Sequence, residues 1–216
     1  MGEGREMMRT LEEVVRQKGM TDPRLLDALA ATPRELFVPP DVAWRAQFDE
    51  PIPIGHGQPT SQPSLVAEMI HALRLTGTEK VLEIGTGYGY QTALLARMAR
   101  RVYSVERHGD LAEHARANLA AAGVANAEVL VGDGTAGLPE HAPFDAVIVS
   151  AAAPEVPAPL ASQLAEGGRL VIPVVRETSD IVTLYTKRRG ELVELRRLTP
   201  AWFVPLIGEH TPATDT

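Results

Sequence analysis

The stretch that decides the fold is Val81-Leu82-Glu83-Ile84-Gly85-Thr86-Gly87-Tyr88-Gly89-Tyr90. Its apolar first half predicts a short buried strand, and three glycines at alternate positions follow that strand. In the next segment, Gln91 to Met98, apolar residues recur at the spacing of one helix face. A strand, a glycine-rich turn and a helix in this order are typical of the ligand-binding crevice of a doubly wound α/β sheet.

The spacing of the glycines narrows the choice of ligand. A dinucleotide-binding turn carries G-x-G-x-x-G and receives a pyrophosphate at the helix N-terminus. Here the pattern is G-x-G-x-G, and the acidic Glu83 precedes it. An acidic group beside the turn suits a cationic ligand better than a phosphate. S-adenosylmethionine fits, because it has a ribose, an adenine, a sulfonium and an α-ammonium but no phosphate. The turn resembles motif I of the class I methyltransferases.

Two later strands end in further candidate residues. Glu106 closes the predicted strand from Arg101 and lies about 20 residues beyond Gly85, the spacing of a carboxylate that binds ribose hydroxyls. Asp133, between two glycines, ends the next strand, and we expect its carboxylate to face the adenine amino group. The plainer alternatives are a solvated glutamate at a strand end and an ordinary Asp-Gly turn.

Composition sets limits on the function. With 216 residues, of which 44% are hydrophobic, the chain is expected to form one domain with additions. The net charge of −7 argues against non-specific nucleic-acid binding and against a membrane-surface role. Without cysteine, the chain has no disulfide, no thiolate metal site and no cysteine nucleophile. No apolar run reaches the roughly 18 residues of a membrane span, so a cytoplasmic protein is expected.

The sequence pattern divides the chain into three parts. Helices are predicted from Met7 to Lys18, from Asp22 to Pro33 and from Asp41 to Phe48, without any repeating βα unit. Beyond them the pattern favours a Rossmann-like, mostly parallel sheet that ends in a β-hairpin over residues 181–198. We therefore predict N-terminal helices with a substrate loop in the same domain (residues 1–63), a methyltransferase core (64–207) and a disordered tail (208–216).

The segment from Asp49 to Pro63 is the most unusual part of the chain. Its four prolines and two glycines after Glu50 are expected to prevent regular structure, yet the residues between them are not those of a linker. A stiff loop that carries His, Gln, Thr and Ser is suited to holding a ligand. The alternative is a rigid connector between the helices and the sheet.

At this point the chain resembles a known family, the protein-L-isoaspartate O-methyltransferases, from about Leu11 to Leu206. The stretches that carry the resemblance are Pro33-Arg34-Glu35-Leu36-Phe37-Val38-Pro39, Pro53-Ile54-Gly55-His56-Gly57-Gln58, Ser61-Gln62-Pro63, Val81 to Gly87, Gly132-Asp133-Gly134, Ala151-Ala152-Ala153-Pro154 and Phe203-Val204-Pro205-Leu206. The resemblance implies methyl transfer from S-adenosylmethionine to the α-carboxyl of L-isoaspartyl residues in damaged proteins, which initiates their repair, and it leaves activity on D-aspartyl residues open.

The resemblance also implies which residues form the site. The serine that the family uses as its catalytic residue falls on Ser61. The cofactor-binding set is Thr60, Ser61, Glu83, Gly85, Thr86, Gly87, Tyr88, Glu106, Gly132, Asp133 and Gly134, and the substrate set is Ile54, Gly55, His56 and Gln58. A loop-bracing role is the alternative for His56. We expect a monomer that acts on damaged proteins and peptides, with no metal, nucleic acid or membrane.

One residue departs from the family pattern. The family has threonine followed by isoleucine or leucine before the serine, whereas this chain has Pro59-Thr60. Proline has no N–H and a fixed φ, so any contact that the family makes through that amide or that threonine hydroxyl is lost. A methyltransferase that acts on another carboxylate or on a small molecule is therefore the main alternative. A nicotinamide oxidoreductase and a catalytically silent cofactor-binding protein are the others.

The proposed reaction asks little acid–base chemistry of the protein. A carboxylate acceptor is already ionised at neutral pH, so an in-line displacement at a sulfonium methyl needs no strong base. Alignment of the reactants and exclusion of water are what the protein must supply, and they can contribute about 7–11 kcal/mol. Ser61 is therefore expected to orient the acceptor and not to remove a proton.

Overall fold

The computed structural model describes residues 10–211. The helices are α1 (Leu11–Gln17), α2 (Pro23–Ala30), α3 (Pro63–Leu73), α4 (Tyr90–Met98), α5 (Gly109–Ala121) and α6 (Ala158–Gln163), with 3₁₀ turns at Arg34–Phe37, Pro40–Gln47, Gly134–Ala136 and Pro139–His141. The strands are β1 (Ile52–Gly55), β2 (Gln58–Thr60), β3 (Lys80–Ile84), β4 (Arg101–Glu106), β5 (Ala127–Val131), β6 (Phe144–Val149), β7 (Leu164–Val175), β8 (Asp180–Arg188) and β9 (Glu191–Ala201).

The main sheet has seven strands in the order β5-β4-β3-β6-β7-β8-β9. The strands from β5 to β7 are parallel, and β8 and β9 join them antiparallel as the predicted C-terminal hairpin. Chain order reverses between β3 and β6, so the crevice where ligands bind in such sheets opens at the end of β3. The predicted fold class is confirmed. Two consecutive glycines, Gly167 and Gly168, would suggest a turn in the sequence, but they lie inside the long strand β7.

The N-terminal helices pack on the sheet through a shared core. Val15, Leu25 and Phe37 belong to the same buried cluster as Val81 and Val102 of the central strands. Capping fixes where the helices begin: the side chain of Asp22 accepts a hydrogen bond from the N–H of Arg24 at the start of α2. The helical appendage therefore shares the hydrophobic core of the sheet. The division of the chain at residue 63 stays a prediction.

The prediction that the segment from Asp49 to Pro63 lacks regular structure is wrong. Strands β1 and β2 form a small antiparallel hairpin in which Pro53 and Pro59 face each other. Because neither proline has an N–H to offer, the ladder loses donors only at this one pair of positions. His56 takes a positive φ of 52° in the turn. Proline-rich sequence therefore permits a two-stranded edge hairpin here.

The predicted disorder of the tail from residue 208 does not hold for Gly208 to Thr211. The N–H groups of Glu209 and His210 donate to the side chains of Asp133 and Thr135, which follow β5. A Cβ on Gly208 would overlap the Asp133 carboxylate, so glycine permits this close approach. Residues 212–216 lie outside the described part of the chain, as do the first residues of the helix predicted from Met7. No helix within residues 10–211 is long and apolar enough to cross a bilayer.

Candidate active site

A pocket opens at the carboxyl ends of β3, β4 and β6, next to the hairpin formed by β1 and β2. Two groups of predicted residues meet in it. The glycine turn and strand ends contribute Gly85, Thr86, Gly87, Tyr88, Glu106 and Gly134, and the hairpin segment contributes Ile54, Gln58, Thr60 and Ser61. The pocket therefore brings most of the predicted cofactor residues beside part of the predicted substrate loop.

The glycine turn has a backbone conformation that requires glycine. Gly85, Gly87 and Gly89 have φ values of 90°, 55° and 92°, in the left-handed region. A Cβ on Gly87 would lie 3.1 Å from the Cδ1 atom of Ile54 on the hairpin. The turn is therefore both tight and in close contact with the hairpin, as a backbone must be to approach a ligand.

Glu106 ends β4 inside the pocket, and its carboxylate organises the glycine turn. One oxygen accepts a hydrogen bond from the N–H of Gly87 at 2.9 Å. The other accepts from the N–H of His108 at 3.0 Å. The side chain is only 5% exposed, and it lines the pocket while it makes these two hydrogen bonds. An acceptor held in this way can bind the hydroxyls of a ribose without first reorganising.

Glu83 does not line the pocket, contrary to the prediction. Its side chain is completely buried beneath α4, where the carboxylate accepts hydrogen bonds from Gln91, Thr92 and Ser104 at 2.9, 2.5 and 2.6 Å. Burial raises the pKa of Glu83 to about 7, although these bonds oppose the shift. Glu83 therefore supports the turn from below and does not present a charge to a ligand.

Asp133 and Gly132 also lie outside the pocket lining, and only Gly134 of this trio reaches it. One Asp133 oxygen accepts bonds from the N–H and the hydroxyl of Thr135, at 2.8 and 2.7 Å. The other accepts from the N–H of Glu209 at 2.8 Å. Burial opposes ionisation, but these donors lower the pKa of Asp133 below its ordinary value. Asp133 anchors the tail, a role that sequence reasoning missed.

Ser61 lies on the pocket wall, and the side chains of both of its neighbours, Thr60 and Gln62, make hydrogen bonds. Thr60 accepts a hydrogen bond from Arg34 at 3.0 Å through its hydroxyl. The side chain of Gln62 donates to Asp49 at 2.8 Å, and Asp49 also accepts from the first free N–H of α3. The hydroxyl of Ser61 itself makes no hydrogen bond to the described residues. A hydroxyl held in place without a partner is available to a ligand.

The predicted substrate residues divide into two pairs. Ile54 and Gln58 line the pocket, whereas Gly55 and His56 at the hairpin tip do not. The ring of His56 stacks on that of His108 at a centroid distance of 4.2 Å, and its Nε2 lies 2.7 Å from a carboxylate oxygen of Asp110. His56 therefore joins the hairpin tip to the start of α5, the bracing role that was its alternative.

Several residues that line the pocket are absent from the predicted site sets. Gln91 and His108 line the pocket, and each has one buried side-chain atom, Oε1 and Nε2 respectively, without a partner among the described residues. Ser150 follows β6 at the switch point. The segment Val204 to Ile207 forms another wall, where Leu206 donates its N–H to the carbonyl of Ala152 at 2.7 Å. The family's closing motif was the signal for this last wall.

Fold and pocket together define the class of protein. The structure has a glycine turn after β3, an acidic residue at the end of β4 and a parallel sheet with a switch point. These features are typical of a class I S-adenosylmethionine-dependent methyltransferase. Comparison with family models identifies the particular family. Residues 5–211 match the model described as protein-L-isoaspartate(D-aspartate) O-methyltransferase, and the chain belongs to that family. The resemblance predicted from sequence is thereby confirmed.

Individual relatives agree with the family. A protein-L-isoaspartate O-methyltransferase from Methanoculleus marisnigri is 52% identical over 206 residues, covering 95% of this chain and 93% of the relative. A solved protein-L-isoaspartate O-methyltransferase structure is 28% identical, with a TM-score of 0.81 over 93% of this chain and 66% of that longer one. A Plasmodium falciparum structure in complex with S-adenosyl-L-homocysteine has a TM-score of 0.78 and 24% identity, and supports the fold.

Proposed function

We propose that this protein transfers the methyl group of S-adenosylmethionine to the α-carboxyl of L-isoaspartyl residues in damaged proteins, as the first step of their repair. One observation carries the proposal. The hydroxyl of Ser61, which has no hydrogen-bond partner within residues 10–211, shares a single pocket with the hairpin residues Ile54 and Gln58, the glycine turn and Glu106. In this arrangement the methyl donor and the acceptor carboxylate are bound side by side.

The residues present fit S-adenosylmethionine. Pocket residues Gln91 and His108 each carry a buried polar atom that finds no partner in the part of the chain that the structure describes, and Glu106 offers a fixed carboxylate. We assign the Gly85–Gly87 turn to the methionine end, Glu106 to the ribose, and the region of Gly134 to the adenine. When bound, S-adenosylmethionine supplies an electrophilic methyl group on a sulfonium. Glu83 and Asp133 do not line the pocket and support it indirectly. Glu83 does so through its hydrogen bonds to α4, and Asp133 through its hydrogen bond to the tail.

The chain's contribution to the reaction is alignment. An isoaspartyl α-carboxylate is ionised at neutral pH, so no residue has to remove a proton from it. Ser61, with Thr60 and Gln62 fastened on either side, donates a hydrogen bond that orients this carboxylate. Because the lesion arises in many sequences, the hairpin must hold the peptide mainly by its backbone, with Gln58 at the wall. Val204 to Ile207 form an apolar wall of the pocket, which disfavours water beside the reacting groups.

We further propose that the protein acts as a monomer in the cytoplasm, on proteins and peptides and not on nucleic acid. The net charge of −7 supports the exclusion of nucleic acid. Gel filtration with light scattering measures the oligomeric state, and a dimeric mass would contradict this part of the proposal.

A methyl-transfer assay tests the function. Labelled S-adenosylmethionine is supplied with an isoaspartyl peptide or with its aspartyl twin, and the label incorporated into each peptide is counted. We expect label in the isoaspartyl peptide alone. Equal labelling of both peptides would indicate a general carboxylate acceptor, and binding of the donor without any transfer would leave a small-molecule acceptor or a silent cofactor-binding protein.

A further inference from the structure

Arg34 is a buried cation that the proposed chemistry does not use. It opens the 3₁₀ turn Arg34–Phe37 and is only 5% exposed. It makes no ion pair with any residue in the range 10–211, because the two nearby carboxylates are engaged elsewhere: Asp49 with Gln62 and α3, and Glu50 with Arg45. Burial lowers the pKa of Arg34, but a guanidinium stays protonated in proteins. A buried charge of this kind needs a reason.

Two of the three guanidinium nitrogens of Arg34 donate to oxygen atoms from two segments, whereas its buried Nε has no hydrogen-bond partner among the described residues. Its NH1 group donates to the carbonyls of Phe48 at 2.9 Å and Ala46 at 3.4 Å. Its NH2 group donates to the carbonyl of Glu50 at 2.8 Å and to the hydroxyl of Thr60 at 3.0 Å. The same hydroxyl also accepts from the N–H of Ile52 at 3.2 Å. Arg34 therefore fastens the chain entering β1 to the residue that ends β2.

The same turn also touches the cofactor side of the pocket. The guanidinium carbon of Arg34 lies 6.0 Å from the ring centroid of Tyr90, the first residue of α4 after the glycine turn. Phe37, three residues along, packs its ring 5.9 Å from that of Tyr90. Phe37, Thr60 and Tyr90 all line the pocket. One short turn thus contacts both the hairpin and the element that carries the cofactor loop.

We propose that Arg34 is a positioning residue for methyl transfer: by holding Thr60 it fixes the adjacent Ser61 relative to the glycine turn in front of Tyr90. The inference rests on the proposed function, since it gives Arg34 a role in aligning the acceptor. It also explains why a guanidinium is needed. Four acceptors in two directions match the planar fork of arginine, whereas the single ammonium of lysine cannot span them.

Hydrogen exchange tests the positioning without any reference to activity. Amide exchange of the hairpin, residues 52–62, is measured by mass spectrometry in the parent, in Arg34→Lys and in the matched control Arg45→Lys, whose ion pair with Glu50 is partly exposed. We expect Arg34→Lys to accelerate hairpin exchange by roughly tenfold or more while exchange in β3 and β6 stays within about twofold. Unchanged hairpin exchange, or equal acceleration in the central strands, would overturn the proposal.

A double-mutant cycle then tests whether the hydrogen bond between Arg34 and Thr60 affects the rate of methyl transfer. Thr60→Val removes the hydroxyl that Arg34 binds, and Thr60→Ser restores a hydroxyl there. We expect Arg34→Lys and Thr60→Val each to lower kcat/KM for the isoaspartyl peptide about tenfold, and the double variant to fall little further, since both changes break one link. Affinity for S-adenosylmethionine should change less than about threefold, and Thr60→Ser should recover most of the activity.

The outcomes distinguish the positioning role of Arg34 from the proposed methyl-transfer function. Additive losses in the cycle, or an equal loss of donor affinity in Arg34→Lys, would assign Arg34 a general structural role and contradict the proposal. A parent protein that does not methylate the isoaspartyl peptide would contradict the proposed function alone, because the exchange measurement still decides whether Arg34 holds the hairpin.

Discussion

The carboxylate of Glu106 accepts a hydrogen bond from the N–H of Gly87 at 2.9 Å, so the end of β4 and the glycine turn after β3 form one structural unit. The relationship has a direct consequence for binding. A carboxylate that is held by the turn and is only 5% exposed can accept ribose hydroxyls at little cost in reorganisation.

Removal of this carboxylate should weaken donor binding. We expect Glu106→Ala to raise the Kd for S-adenosylmethionine by an amount that corresponds to about 1.5–3 kcal/mol, the usual value of a hydrogen bond to a charged group. Calorimetry measures the change. The matched control is Glu128→Gln on β5, whose carboxylate pairs with Arg101 at the surface. Unchanged affinity in Glu106→Ala would remove Glu106 from the ribose site.

Replacement of Ser61 should affect transfer and not donor binding. Its hydroxyl has no partner among residues 10–211, so Ser61→Ala leaves no donor or acceptor unpaired there and the fold should be unaffected. We expect single-turnover methyl transfer to slow about tenfold or more, with donor affinity within roughly threefold of the parent. Ser162→Ala, on the exposed side of α6, is the control. A parental transfer rate in Ser61→Ala would mean that Ser61 only shapes the wall.

Glu83 should make stability depend on pH in a defined window. The folded pKa of about 7 lies above that of an unfolded glutamate, so the folded state keeps a proton that the unfolded chain has already lost. The free energy of unfolding should therefore fall as pH rises from about 4.5 to about 7, by up to roughly 3 kcal/mol, and then level off. The Oε1 of Gln91, which has no partner among residues 10–211, offers an acceptor for that proton after an amide flip.

Urea unfolding at pH 5 and pH 8 checks this dependence. In Glu83→Gln the position cannot ionise, so the loss of stability between the two pH values should be smaller than in the parent. Glu128→Gln again serves as the control and should keep the parental difference. Equal differences in the parent and in Glu83→Gln would show that the buried carboxylate does not keep its proton.

Asp133 should stabilise the protein through the tail. Its folded pKa is lowered, so the stabilisation is present above the ordinary aspartate pKa and is lost as pH falls through the folded value. At pH 7, Asp133→Asn should lower the unfolding free energy by about 1 kcal/mol, a few degrees in Tm, because the bonds from Thr135 and Glu209 lose their charge assistance. Scanning calorimetry measures it against the exposed Asp27→Asn. An unchanged Tm would mean that the tail contact carries no stability.

The sequence predicts the parts of the site that depend on local pattern, and it fails where long-range contacts decide. The strand, glycine turn and helix around Gly85 follow from periodicity, and Glu106 follows from spacing. Glu83 was misplaced because β3 is buried on both faces, so alternation cannot tell which face a residue occupies. The role of Asp133 depends on Glu209, which is far away in the chain and therefore invisible to local reasoning.

Local sequence pattern also fails for the Asp49–Pro63 segment, where a pairing between distant residues decides the structure. Each proline lowers the expectation of a strand, and only the pairing of Pro53 with Pro59 makes the hairpin acceptable. Arg34 was quoted in the motif that carries the family resemblance, yet no local pattern shows that its acceptors lie as far along the chain as Thr60. Motif recognition identifies such residues without explaining what they hold.

The central claim is that one pocket aligns a sulfonium methyl group with an isoaspartyl carboxylate and rejects the normal aspartyl geometry. The most direct test places an isoaspartyl peptide and its aspartyl twin in one reaction at limiting S-adenosylmethionine and measures the ratio of their kcat/KM values from the methyl ester formed on each. The account predicts a ratio of at least about a hundredfold in favour of the isoaspartyl peptide, since a misplaced carboxylate loses the benefit of alignment. A ratio near one would contradict it.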